Sequence, residues 1–362
     1  MSPLRRSLPR RAFLYGSAGA GAGLALAACS VSGGPGTAGA DTPGAAAIAD
    51  STSFTDADFA PLKGARIGVV GINLQGPTVA RSVQIMTDLS TKHEFELQAV
   101  SSDFDLARTN DTIRVWAENK FSAIVVANTE AANISEGLAA AERAGVPVGG
   151  FYCGTAPGLA FDVGANEFIS GTRCGTYIQQ RLAAAGGNKG IALVGYTPLA
   201  NLRERELAVR TLADYHGTPI LLRHETNADS SVPDVQNTTT DVLTKFPEGG
   251  QLGAIFVAWD QGGYAAVSAI EAAGRDDVFV VSIDGEQANL DSIRQGGPQG
   301  ATVVNDMVAV SNVVLTELAK IIGGAAPPKN AQLYVDAPLV TSVNVPASGV
   351  PQGTGLTPYY TG

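Results

Sequence analysis

The sequence predicts an α/β protein built of two doubly wound, Rossmann-like lobes. Three observations lead there. Short runs rich in Val and Ile, apolar at successive positions, recur in two series; such runs mark parallel strands covered on both faces. Amphipathic stretches with helical spacing separate them, so strand and helix alternate. The foldable part, from Lys63 onward, is about 300 residues long, which suits two lobes better than one. A single large Rossmann-type domain is the alternative, and two sets of four strands argue against it.

The front of the chain sets the compartment. Arg10 and Arg11, followed by Phe13 and Leu14, form the twin-arginine pattern of an export signal. The Gly-, Ala- and Leu-rich run over residues 16–28 is too short and too rich in glycine for a membrane span. It ends in Leu26-Ala27-Ala28-Cys29, which resembles the bacterial lipobox. That resemblance implies a signal over residues 1–28 and a diacylated Cys29; an ordinary secretory signal with an incidental cysteine is the bland alternative. Two acyl chains suffice for stable anchoring, so the protein is expected to be exported and held on the outer face of the cytoplasmic membrane. Residues 29–62, rich in Gly, Ala, Ser, Thr and Pro, read as a flexible tether.

Charge excludes one large class of partner. The net charge is −10, and loss of the four arginines of the signal takes it to −14, a poor balance for nucleic-acid binding. His93, His216 and His224 stand in no metal-ligand spacing and read as ordinary surface or loop residues. No metal site and no cofactor are expected, because no strand-loop-helix segment carries a Gly-x-Gly-x-x-Gly or a Walker-type lysine, and no nucleophile elbow is present. Cys153 and Cys174 read either as a disulfide, given export, or as two buried thiols.

The first strand series is Arg66–Gly71, 95–100, Ala123–Ala127 and 146–151. The second is 191–196, 220–223, 254–258 and 278–283. Between them, residues 79–92 carry Val83, Met86 and Leu89 at helical spacing. Residues 133–144 form a helix that stops at Gly145 before Pro147. Residues 201–215 put Leu202, Val209 and Leu212 on one face, and 264–273 end at Gly274.

In open α/β sheets ligands bind beyond the carboxyl ends of the strands. The residues there are Gln75 and Gly76, Asn128, Tyr152, 197–203, Trp259 and Asp260, Asp284, and Asn305. Each has a plainer reading. Arg203 could be a solvated helix charge like its neighbours Arg205 and Arg210. Asp260 reads more readily as a cap for a helix starting at Gln261, and Asp284 could cap one near Gln287. Trp259 could be a buried lobe wall, and Asn128 could serve turn chemistry.

Five segments together resemble the ribose- and galactose-type sugar-binding proteins of bacterial ABC importers, the type I periplasmic binding protein family. They are AIVVANTEAANISEGLAAAERAGVPV, NLRERELAVRTLADY, IFVAWDQGGYAAVSAIEAAGRDDVFVVSIDG, GATVVND and VDAPLVTSVNV. The resemblance spans residues 65–345 and implies two lobes joined by a hinge with several crossovers. It implies lobes of 63–164 plus 285–325 and 165–284 plus 326–345, with 346–362 as a tail. It also implies capture of a small polar solute (a sugar, polyol or similar hydroxylated metabolite) by lobe closure, without catalysis. The expected partners are that solute, an ABC permease and its ATPase, the protein itself being a monomer. A sensor delivering a signal molecule such as an autoinducer to a membrane receptor is the alternative.

Residue by residue, Arg203 falls on the family's sugar-binding arginine, Asp284 on its aspartate and Asn305 on its hinge glutamine. Both stacking phenylalanines are missing around Gln75, and Tyr152-Cys153 stands where the family has Asp-Arg. Trp259 replaces an amide. With Tyr152 and Trp259 as rebuilt apolar walls and Gln75 from the end of the first strand, the expected ligand set is Gln75, Tyr152, Arg203, Trp259, Asp284 and Asn305.

Overall fold

The computed structural model describes residues 54–350, apart from 187, 228 and 229; Cys29, the twin-arginine segment and most of the expected tether lie outside the described residues. Strand β1 (Arg66–Gly71) is buried from Ile67 onward and pairs in parallel with β2 (Glu96–Ser101) and β3 (Ala123–Ala127). Next to β3 come β4 (Val148–Phe151) and β5 (Phe161–Gly164). Every residue of β3, β4 and β5 is buried, as strands covered by helices on both faces require. The helices of this lobe are α1 (Asp56–Phe59), α2 (Pro77–Lys92), α3 (Leu106–Glu118) and α4 (Ser135–Ala144).

The chain then crosses over and repeats the plan. Helix α5 (Glu167–Ala184) leads into β6 (Gly190–Gly195), α6 (Ala200–His216) and β7 (Ile220–Glu225). These are followed by α7 (Ser231–Lys245), β8 (Leu252–Val257), α8 (Asp260–Ala272) and β9 (Phe279–Asp284). Helix α9 (Gln287–Gln295) and β10 (Gln299–Val304) complete the parallel part. A second crossover returns α10 (Met307–Ile322) to the first lobe, where Ser311 Oγ and Ser82 Oγ lie 2.7 Å apart across α10 and α2. Strand β11 (Ala331–Tyr334) adds to β5, and a third crossover brings β12 (Leu339–Thr341) antiparallel onto β10. The sheet orders are β11-β5-β4-β3-β1-β2 and β12-β10-β9-β8-β6-β7.

Several expectations are corrected here. Each sheet has six strands rather than four, because the extra ones are short or interrupted by polar residues such as Asp162 and Gln299. The boundary at 285 is wrong: β10 pairs with β9, so residues 285–304 belong to the second lobe. Residues 326–345 are shared, β11 in the first sheet and β12 in the second. The folded part begins before Lys63, since Phe59 and Leu62 are buried in the first lobe's core. The tail after residue 345 is partly docked: Arg294 Nε donates to Pro346 O at 2.7 Å and Val350 packs beside Leu290 and Ile293. His93 is not a surface residue but stacks on Phe59, ring centroids 4.4 Å apart.

No disulfide joins Cys153 and Cys174. Cys153 is buried after β4, within reach of the Val126 carbonyl, and Cys174 is buried on α5 in the other lobe, near the Ser282 carbonyl. They behave as small apolar residues in two separate cores.

Candidate functional site

The carboxyl ends of both sheets face one cleft, whose cavity is about 170 Å³. From the first lobe it is lined by Asn73, Thr78, Phe104, Asn128 and Tyr152, with apolar Ile72 and Val79 behind them. From the second come Asn201, Leu202, Arg205, Trp259, Asp284, Glu286 and Asn305.

Two aromatic walls stand on opposite lobes. Tyr152 follows β4, and the glycine at the end of the neighbouring strand makes room for its ring: a Cβ on Gly164 would come within 2.9 Å of it. Trp259 precedes α8, and a Cβ on Gly262 would come within 2.7 Å of the indole. Three cleft residues at strand ends have positive φ: Asn128 at 45°, Tyr152 at 55° and Asp284 at 148°. Such conformations cost roughly 1–3 kcal/mol each and gather where function overrides local preference.

Behind the walls lies a buried charge network. Arg205 is 2% exposed. Its Nε and Nη2 donate to the two Glu167 oxygens at 2.7 and 2.8 Å, and its Nη1 donates to Ala258 O at 2.9 Å and Asp284 Oδ1 at 3.0 Å. Asn305 Nδ2 donates to the same Asp284 oxygen at 3.0 Å. Burial works against the Arg205 charge, but the carboxylates of Glu167 and Asp284 outweigh it and raise its pKa. Burial also raises Asp284 and Glu167. Asp260 accepts from Thr302 Oγ1 at 2.8 Å, from the Glu286 N–H at 2.7 Å and from Ser282. Burial first, then the Asp284 charge, pushes Asp260 up. Glu286 makes no side-chain hydrogen bond or ion pair among the described residues, and burial with the charges of Asp284 and Asp260 pushes it up to about 8.

Four of the six expected residues line the cleft: Tyr152, Trp259, Asp284 and Asn305. Gln75 does not. It is exposed, and Asn73 and Gly76 line the wall instead. Nor does Arg203, whose Nη1 donates to Thr197 O at 2.6 Å and whose Nη2 reaches Glu130 Oε1 of the other lobe at 3.4 Å. With Asn201 Nδ2 donating to Asn128 Oδ1 at 3.2 Å, this contact joins the lobes at the cleft mouth. The arginine inside is Arg205. The sequence carried that signal: Arg205 lies three residues after Leu202 and four before Val209, on the helix face that packs inward, whereas Arg203 does not. Asp260 is neither a helix cap nor a ligand group but a brace beneath the turn that carries Asp284 and Glu286. Glu286 was missed although it stands at a strand end.

A family model described as a periplasmic binding protein domain matches residues 67–326. The chain is 24% identical over 286 residues to a xylitol-binding protein of Mycolicibacterium smegmatis, covering 77% of this chain and 78% of that one. Among solved structures, it resembles an ABC transporter solute-binding protein of Agrobacterium vitis with bound allitol. That match has TM-score 0.69 and 21% identity, covering 78% of this chain and 96% of that one. A solute-binding protein of Mycobacterium smegmatis with bound glycerol also matches, with TM-score 0.69 and 20% identity over 79% of this chain and 99% of that one.

Proposed function

The chain belongs to the periplasmic binding protein family, solute-binding proteins of transport rather than enzymes, and from that premise we propose that it captures an open-chain polyol for an ABC importer. The observation that carries this reading is the pairing of two aromatic walls from opposite lobes with a buried Arg205–Asp284–Asn305 chain in a cavity of about 170 Å³. The walls pack against the carbon chain, while the arginine, carboxylate and amide exchange hydrogen bonds with hydroxyls. The first lobe lacks the paired stacking phenylalanines of ribose- and galactose-type sites, which weighs against a flat pyranose. Xylitol, allitol and glycerol, the ligands of the three relatives named above, support an acyclic chain, while two other solved structures of this fold hold 5-methylthioribose and D-arabinose.

Capture works by closure, since only differential contacts in the open and closed states shift such an equilibrium. The protein is exported as members of its family are. We assign it a twin-arginine signal over residues 1–28, a lipid anchor at Cys29 and a monomeric state. Cys29→Ala releases a folded protein from membranes; its retention in the membrane fraction would overturn the anchor.

The experiment that tests the function is titration of the purified protein with pentitols, hexitols, pyranoses and organic acids. A true ligand at one hundred times its Kd stabilises by about 2.7 kcal/mol, visible as a raised Tm, and small-angle scattering then reports compaction. Binding of pyranoses but of no polyol would sink the assignment.

A further inference from the structure

The hinge end of the cleft holds more acid than base. Glu167 and Asp284 divide one guanidinium, Arg205, between them, while Asp260 and Glu286 lie beside Asp284 and form no ion pair among the described residues. Glu286 is left over. It stands where the cleft meets a second cavity, and both cavities are lined by Pro77, Thr78, Asp284, Glu286 and Asn305. Arg81 of α2 lines only the second cavity and forms no ion pair with Glu286. On the second lobe's side of the shared wall, the side-chain polar atoms without a partner among the described residues are the Glu286 carboxyl oxygens and Asn305 Oδ1. Asn305 is 4% exposed and its Oδ1 is buried with no hydrogen-bond partner among the described residues.

This set asks for donors and for positive charge. A partly buried carboxylate beside other carboxylates is costly until a cation neutralises it. A hydroxyl brings one donor and no charge; an ammonium brings three donors, a full charge and no acceptor. Phosphate or carboxylate groups are repelled.

We propose that Glu286 makes the cleft selective for a hydroxylated chain bearing a protonated amine, an amino polyol, with the ammonium held between Glu286 and Asn305. The inference rests on the polyol reading above and deepens it. Facing Glu286 are Asp260 of α8 and Asp284 of β9, with Arg205 of α6, Glu167 of α5 and Arg81 of α2 around them. Because Glu286 is pushed up to about 8, an ammonium that binds at pH 7 displaces its proton. The preference therefore grows from pH 6 to 8.5, until the amine itself titrates near ~10.

The test is calorimetric titration of the intact protein with xylitol, 1-amino-1-deoxyxylitol and xylonate, repeated with Glu286→Gln. The amine is expected to bind about 10- to 100-fold more tightly than xylitol, as a charge-assisted pair allows, and xylonate not measurably. In Glu286→Gln the amine-to-polyol ratio should fall to within about threefold of one, while thermal melting shows the unliganded variant folded. Xylitol binding without an amine preference, or a preference that survives in Glu286→Gln, overturns this inference alone. Binding of none of the three overturns this inference, and the polyol reading falls with it only when hexitols fail to bind as well.

Discussion

In the first lobe, the strand ends that face the cleft carry Asn73, Asn128 and Tyr152; in the second they carry Asp284 and Glu286, with Arg205 reaching in from α6. The two sheets share one strand order, with β1 and β6 at the same point in each, yet the first contributes no charged side chain to the cleft. Both lobes also bury an acid beneath the turn that bears a cleft residue. Asp162 accepts from the N–H groups of Cys153 and Gly154 at 2.9 and 3.1 Å, fixing the turn of Tyr152. Asp260 does the same for the turn of Asp284 and Glu286. The scaffold is thus repeated down to its braces, while recognition is not: one half supplies surface and neutral hydrogen bonding, the other supplies charge.

The sharpest way to break this contrast is Arg205→Met. It strands Glu167 and Asp284 as buried charges, and breaking such a pair costs about 3–5 kcal/mol. Chemical denaturation should report that loss, together with loss of polyol binding. Asn128→Ala, its counterpart in the neutral half, should cost no more than about 1 kcal/mol. Equal losses in the two variants would erase the distinction between the halves.

The walls come next. Gly262→Val drives a side chain into the Trp259 indole and Gly164→Val into the Tyr152 ring. Each should weaken polyol binding roughly 10- to 100-fold in titration, the effect of removing one aromatic contact. An unchanged affinity in either would remove that ring from the site.

The braces separate by pH. Burial pushes Asp162 up to about 7, well above its unfolded value near ~3.9. The native state therefore holds the extra proton, and stability from this group is present below pH ~4 and lost as pH rises through about 7. Asp162→Asn should flatten the pH profile of unfolding free energy between pH 4 and 7 by on the order of 1 kcal/mol per pH unit. A wild-type stability that climbs over this range, with the same climb in Asp162→Asn, would contradict the assignment.

The smallest effects belong to the mouth of the cleft. The Arg203–Glu130 pair joins the lobes with side chains 42% and 28% exposed, so Arg203→Ala should weaken binding by no more than about fivefold, and less at high salt. Gln75→Ala should leave affinity unchanged, as its side chain is outside the cleft. A loss in Arg203→Ala as large as in Arg205→Met would return the ligand arginine to position 203.

The repeated α/β plan was legible in the sequence because buried parallel strands must be apolar at consecutive positions; of the eight runs, six are such strands, while β2 and β7 are sheet edges that bury none of their residues. Strand-end reasoning likewise found Tyr152, Trp259, Asp284 and Asn305, since the carboxyl edge of a doubly wound sheet faces the cleft whatever the side chains are. The strands β5, β10, β11 and β12 were not legible as runs. Asp162 and Gln299 sit inside them because their polar groups are satisfied by partners outside their own strands, Gln332 for Asp162 and Asn289 of α9 for Gln299. Lobe membership after residue 285 was equally hidden, because pairing of β10 with β9 and of β11 with β5 is a long-range choice that no local pattern encodes. Which arginine of the Arg203-Glu204-Arg205 triplet faces inward, and that Glu286 is left without a cation, was decided only by tertiary structure. Charge is a property of the residue, but its partner, its burial and therefore its chemistry are properties of the packed site.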